Sequence, residues 1–70
     1  FAFEEERLED IMTTLSRWYR MEAIFENPQL KDIRFTASVQ KEEDISKLLN
    51  QFELTRTVSF NIIKNQIFIK

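Results

Sequence analysis

Apolar residues along this chain fall at two spacings: three to four residues apart in two segments, and two apart in the segments around them. Leu8, Ile11, Met12 and Leu15 mark one face of a helix, and Trp18 and Tyr19 carry that face a turn further. The spacing predicts a helix from about Glu6 to Tyr19, with Glu4, Glu5 and Glu6 placing negative charge at the positive end of its dipole. Ile45, Leu48, Leu49 and Phe52 repeat the pattern and predict a second helix from about Asp44 to Leu54, opened by Glu42, Glu43 and Asp44.

The flanking segments alternate. Phe1 and Phe3 suit a short strand that the three glutamates interrupt. Met21, Ala23 and Phe25 alternate with Glu22 and Glu26, leaving Ile24 on the polar face. Asn27-Pro28 ends this strand, because proline cannot donate to a ladder, and Leu30 plugs the turn into the core. Ile33, Phe35, Ala37 and Val39 form a longer alternating strand, with the first strand as its partner. Val58, Phe60 and Ile62 form the next, Lys64-Asn65 makes a two-residue hairpin turn with Asn65 able to take a left-handed conformation, and Gln66 to Lys70 returns.

Seven apolar positions superimpose at a constant offset. Leu8, Ile11, Met12, Leu15, Met21, Ala23 and Phe25 correspond to Ile45, Leu48, Leu49, Phe52, Val58, Phe60 and Ile62, each 37 residues later. The expected order is βαβ followed by βαββ, an α+β fold with two helices between a two-stranded and a three-stranded sheet. Pseudo-symmetry pairs the first strand with the third, and the second with the fourth and fifth. In the last hairpin Ile62 then faces Ile67 and Phe60 faces Ile69 on the inner face, while Ile63 and Phe68 lie outside with Ile24. Those three define a candidate protein-contact surface. The last strand, carrying Ile67 and Ile69, offers a second route if it is a sheet edge that a partner can extend.

Seventy residues make one small domain, 1–70, with little buried surface to offset chain entropy. With no cysteine and no histidine, neither a disulfide nor a usual metal site supports it, and a piece of a longer protein is expected. Ten basic against 12 acidic residues give a net charge of -2 without a basic stripe, which argues against nucleic acid. No apolar run reaches the roughly 18–20 residues of a membrane span.

Catalysis has little to draw on. Without histidine or cysteine, Ser16 and Ser46 lack the usual base, so no enzyme activity and no cofactor are expected. The clusters Glu4–Glu6 and Glu42–Asp44 lack a calcium-loop pattern and read as helix-dipole complement and solvated surface. Met12 and Met21 fall in the core periodicity.

The run Leu15 to Val39, then Asp44 to Thr55, Thr57 to Ile63 and Gln66 to Lys70, resembles the C-terminal domain of FecR-type anti-sigma regulators, especially those of Bacteroidetes. The likeness rests on Trp18-Tyr19, Phe25-Glu26-Asn27-Pro28 with Leu30, Ile33-Arg34-Phe35, Val58-x-Phe60 and Ile67-x-Ile69. It implies a periplasmic domain of a single-pass inner-membrane protein whose missing N-terminal part controls an extracytoplasmic-function sigma factor. The implied partner is the signalling domain of a TonB-dependent outer-membrane transporter, and the implied role is to relay that substrate has been bound. Family members often carry glycine after the second helix and in the last hairpin, where this chain has Arg56 and Lys64-Asn65. Two alternatives stay open: the N-terminal signalling domain of a TonB-dependent receptor or secretin, and a small-ligand or cell-wall binding module.

Overall fold

The structure, a computed structural model, describes residues 2–40 and 42–70. Strand β1 (Ala2–Arg7) runs into helix α1 (Leu8–Tyr19), followed by β2 (Glu22–Phe25), a 3-10 turn (Pro28–Asp32), β3 (Arg34–Ser38), α2 (Ile45–Glu53), β4 (Phe60–Ile63) and β5 (Gln66–Ile69). One sheet pairs β1 with β3 antiparallel; the other has the order β2-β5-β4. The expected βαβ–βαββ order and the two- and three-stranded sheets are observed. The parts of the sequence expectations that fall on Phe1 and Lys41 lie outside the described residues.

Each helix buries the stripe that its spacing marks. Leu8, Ile11, Met12 and Leu15 of α1 and Leu48 of α2 are fully buried, as are Ile67 and Ile69 of β5. Side chains of this size contribute ~1.5–3 kcal/mol each on leaving water. The core is one cluster drawn from both helices and both sheets, and Leu30 closes it under the 3-10 turn. A run of rings joins the layers: Phe52 of α2 lies 4.9 Å from Phe35 of β3 and 6.3 Å from Phe60 of β4, tilted by 54° and 50°. Tilted rings at these separations are favoured by the aromatic quadrupole.

The three glutamates do not interrupt the first strand, as their charge suggested; the strand absorbs them in a bulge. Register passes from Phe3 opposite Ala37 to Glu6 opposite Phe35, so β1 carries one extra residue there. Glu5 takes φ 50° at this point. Its N–H donates to Thr36 Oγ1 at 3.1 Å, and its C=O accepts from Arg34 Nη1 at 2.8 Å. Side chains of β3 thereby satisfy the backbone groups that the bulge withdraws from the ladder.

Acid at the start of α1 comes instead from Glu9 and Asp10. The Leu8 N–H donates to the Ile33 C=O at 2.7 Å, which supplies a backbone partner where no side chain caps the helix. Arg7 bonds Asp32 at 2.8 Å and Glu9 at 3.0 Å, tying the helix start to the 3-10 turn. Bonding to Asp32 raises the Arg7 pKa further above its ordinary value, but the pair is exposed and contributes little. Helix α2 starts conventionally, with Asp44 Oδ1 accepting from the Ser46 N–H at 3.0 Å.

The chain has no glycine, so its left-handed positions fall on Glu5, Arg20, Arg56 and Lys64. In the last hairpin the positive φ, 56°, belongs to Lys64 and not to Asn65. The expectation had chosen Asn65 by residue preference alone, whereas the turn geometry assigns the conformation to the first of the two loop residues. Arg56 and Lys64 are also the places where the family resemblance implied glycine, and each needs the backbone conformation that glycine adopts most cheaply.

Candidate functional site: the outer face of the three-stranded sheet

Strand alternation and register together build this surface. Across β2, β5 and β4, Ile24 is level with Phe68 and Phe68 with Asn61; one step along, Glu22 is level with Gln66 and Gln66 with Ile63. These residues share the face turned from the core, while Ala23, Ile67 and Ile62, and Phe25, Ile69 and Phe60, form the inner rows. Ile63 is 49% exposed, and Ile24 and Phe68 are half-buried. The structure therefore brings Ile24 and Phe68 side by side on neighbouring strands and sets Ile63 at the hairpin end. Gln66 Nε2 donates to Glu22 Oε1 at 3.0 Å, a polar border along the same row as Ile63.

The other two residues of the sequence-predicted contact set lie elsewhere. Ile67 and Ile69 are fully buried on the inner face. Strand β5 is the centre of its sheet, hydrogen-bonded on both sides, so the expected route of strand addition along Gln66 to Lys70 is closed. The two edges are β2 and β4. A signal of this was present: Ile67-Phe68-Ile69 is apolar on both faces, the pattern of a covered strand, whereas β2 and β4 carry polar residues within or beside them.

At the opposite end of α1, Tyr19 reaches across to the second unit, its hydroxyl donating to the Glu43 C=O at 2.5 Å. Burial, and then the nearby negative charges of Glu43 and Asp44, push its pKa above the ordinary 10.0. Both effects favour the neutral phenol that makes this bond. Among the described residues, no group of three or more acidic side chains is placed to hold a metal ion, and no helix is long and apolar enough to cross a membrane.

Two helices between a two-stranded and a three-stranded sheet, with a partly apolar outer face on the larger one, define the class of this small α+β fold. Residues 1–69 match the family described as FecR, C-terminal, and the chain belongs to that family. Its fold is similar to a crystal structure of a candidate anti-sigma factor from Parabacteroides distasonis ATCC 8503, with a TM-score of 0.84 at 13% sequence identity. The likeness covers 100% of this chain and 32% of that one, so the present chain spans about a third of that protein's length. A comparison with curated proteins finds no match.

Proposed function

We propose that this domain is the periplasmic sensing end of a FecR-like transmembrane anti-sigma regulator. In this reading it docks the signalling domain of a TonB-dependent outer-membrane transporter and relays substrate status to an extracytoplasmic-function sigma factor. Membership of the FecR C-terminal family across residues 1–69 carries the proposal. The surface offered for docking is the outer face around Ile24, Phe68 and Ile63, where apolar side chains on adjacent strands could be covered without opening the core. Contact there would alter β2 and the hairpin, and through them the chain leading to the membrane.

The test is titration of the isotope-labelled domain with the N-terminal signalling domain of the transporter encoded beside its gene, followed by amide chemical shifts. Saturable shifts centred on Ile24, Ile63 and Phe68 are expected. Phe68→Glu and Ile63→Glu should weaken binding by about tenfold or more while the domain stays folded, since a carboxylate buried without a partner is costly. Unchanged binding in both variants rules out this face, and no binding by the wild type rules out the partner.

A further inference from the structure

Each edge of the three-stranded sheet lies beside a helix across an open groove. The groove between α2 and β4, about 210 Å3, is lined by Ser46, Leu49, Asn50, Glu53, Phe60 and Ile62. The groove between α1 and β2, about 490 Å3, is larger and has Glu9, Met12, Thr13, Ser16, Ala23 and Phe25 among its lining residues. Taken in order, every residue of the second set stands 37 positions before its counterpart in the first, from 9 and 46 to 25 and 62. The grooves are thus repeat-related copies, and the substitutions between them are informative.

At β4, Ser59 and Lys70 exchange backbone bonds of 3.0 Å, so the alternate residues Phe60 and Ile62 direct their N–H and C=O groups to the free edge. The Phe60 N–H is already taken, because Glu53 Oε2 accepts from it at 2.8 Å. At β2, the Glu22 and Glu26 N–H groups donate to the Asn65 and Ile69 carbonyls at 2.8 and 2.9 Å, which leaves Ala23 and Phe25 facing the free edge. The counterpart of Glu53 here is Ser16, two carbons shorter. Its Oγ is buried beside this edge without a hydrogen-bond partner. One edge is capped by its helix and the other is not.

Charge decides what fits the open edge. Strand β2 is bracketed by exposed Glu22 and Glu26. The cation lining the groove, Lys31, is already engaged, 3.6 Å from Glu9 and 5.7 Å above the Phe25 ring. Two copies pairing antiparallel about Ile24 would set Glu22 of each against Glu26 of the other, and like charges directly opposite are destabilising. We propose that β2 and the α1 groove accept an extended segment of a partner protein as a fourth strand. The segment pairs with the backbone of Ala23 and Phe25, places alternate apolar side chains against the half-buried Met21 and Phe25, and carries lysine or arginine opposite Glu22 and Glu26. This strand-accepting edge is separate from the outer face and does not depend on which protein docks there.

The probe is the capped peptide Val-Lys-Val-Thr-Val-Lys-Val, whose two lysines have the four-residue spacing of Glu22 and Glu26, titrated into the isotope-labelled 70-residue chain. Saturable shifts and slowed exchange at the Ala23 and Phe25 amides are expected, with a version carrying glutamate in place of both lysines binding about tenfold more weakly. Ser16→Glu should close the edge by reaching the Ala23 N–H as Glu53 reaches Phe60. Ala23→Pro should do so by removing an N–H that the ladder to β5 does not use. Either variant, checked as folded by its amide spectrum, should bind the lysine-bearing peptide about tenfold less tightly. The proposal is overturned if peptide shifts centre on Phe60 and Ile62 or on the outer face, or if nothing saturates at millimolar peptide. It is equally overturned if folded Ser16→Glu binds like the wild type, or if the free chain dimerises through β2.

Discussion

Replacing Arg20 by glycine should leave this domain more stable than replacing it by alanine, although both remove a charged side chain from a helix end. Arg20 follows α1 with φ 54° and ψ 48°, the left-handed conformation that ends the helix, and both its own N–H and that of Met21 bond to the Ser16 C=O. A residue with a Cβ pays ~1–2 kcal/mol there. Glycine avoids that strain but loses ~0.5–1 kcal/mol of additional chain entropy. The net gain is roughly 0.5–1 kcal/mol. Loss of the positive charge at the negative end of the helix works the other way by ~0.3–1 kcal/mol. Arg20→Ala removes the same charge and keeps the Cβ, so the difference between the two variants isolates the backbone. For a chain of this size a backbone difference of that order sets the Tm of Arg20→Gly ~2–8 °C above that of Arg20→Ala. Thermal and urea unfolding followed by circular dichroism would read it, as a shift in midpoint at constant slope. If Arg20→Gly is no more stable than Arg20→Ala, left-handed strain is not a cost in this fold. Lys64→Gly, at φ 56° in the hairpin, should behave in the same direction.

Two further perturbations probe how the units are held together. Tyr19→Phe loses the hydroxyl bond to the Glu43 carbonyl and should cost ~0.5–1.5 kcal/mol at neutral pH, read from the urea midpoint. Because the folded-state pKa of Tyr19 is raised, its contribution is full below the ordinary value of 10.0 and is lost as pH rises through the folded value. The gap between wild type and Tyr19→Phe should therefore narrow above about pH 10, and a gap that widens there would contradict the assignment. Leu15→Ala removes a fully buried side chain from α1 and should cost ~2–5 kcal/mol. A domain of this length holds only ~4–10 kcal/mol in total, so the variant should lose much of its cooperative melt.

Helix and strand identities were legible from periodicity because burial imposes it directly. A residue at i, i+3, i+4 or i+7 on a helix meets the same core, and both stripes face it, fully buried from Leu8 to Leu15 and buried from Leu48 to Phe52 with Ile45 partly covered. The hairpin register was legible for the same reason, since a shift by one would have turned Ile67 and Ile69 outward. The outer position of Ile24, Ile63 and Phe68 followed from that alternation.

The 37-residue offset sorted the strands into two sheets, but periodicity carries no information about the order of the three strands in the larger one. That β5 sits between β2 and β4, parallel to one and antiparallel to the other, depends on a long-range crossover decided only when both helices pack on one core. The bulge in β1, the left-handed Lys64 and the Glu53 cap on the β4 edge depend likewise on partners distant in the chain or on turn geometry. Sequence by itself determined which faces of each element are buried, because water rejects apolar surface wherever it lies. Tertiary structure alone decided which backbone edges stay open, because an edge is closed only by what the fold brings against it.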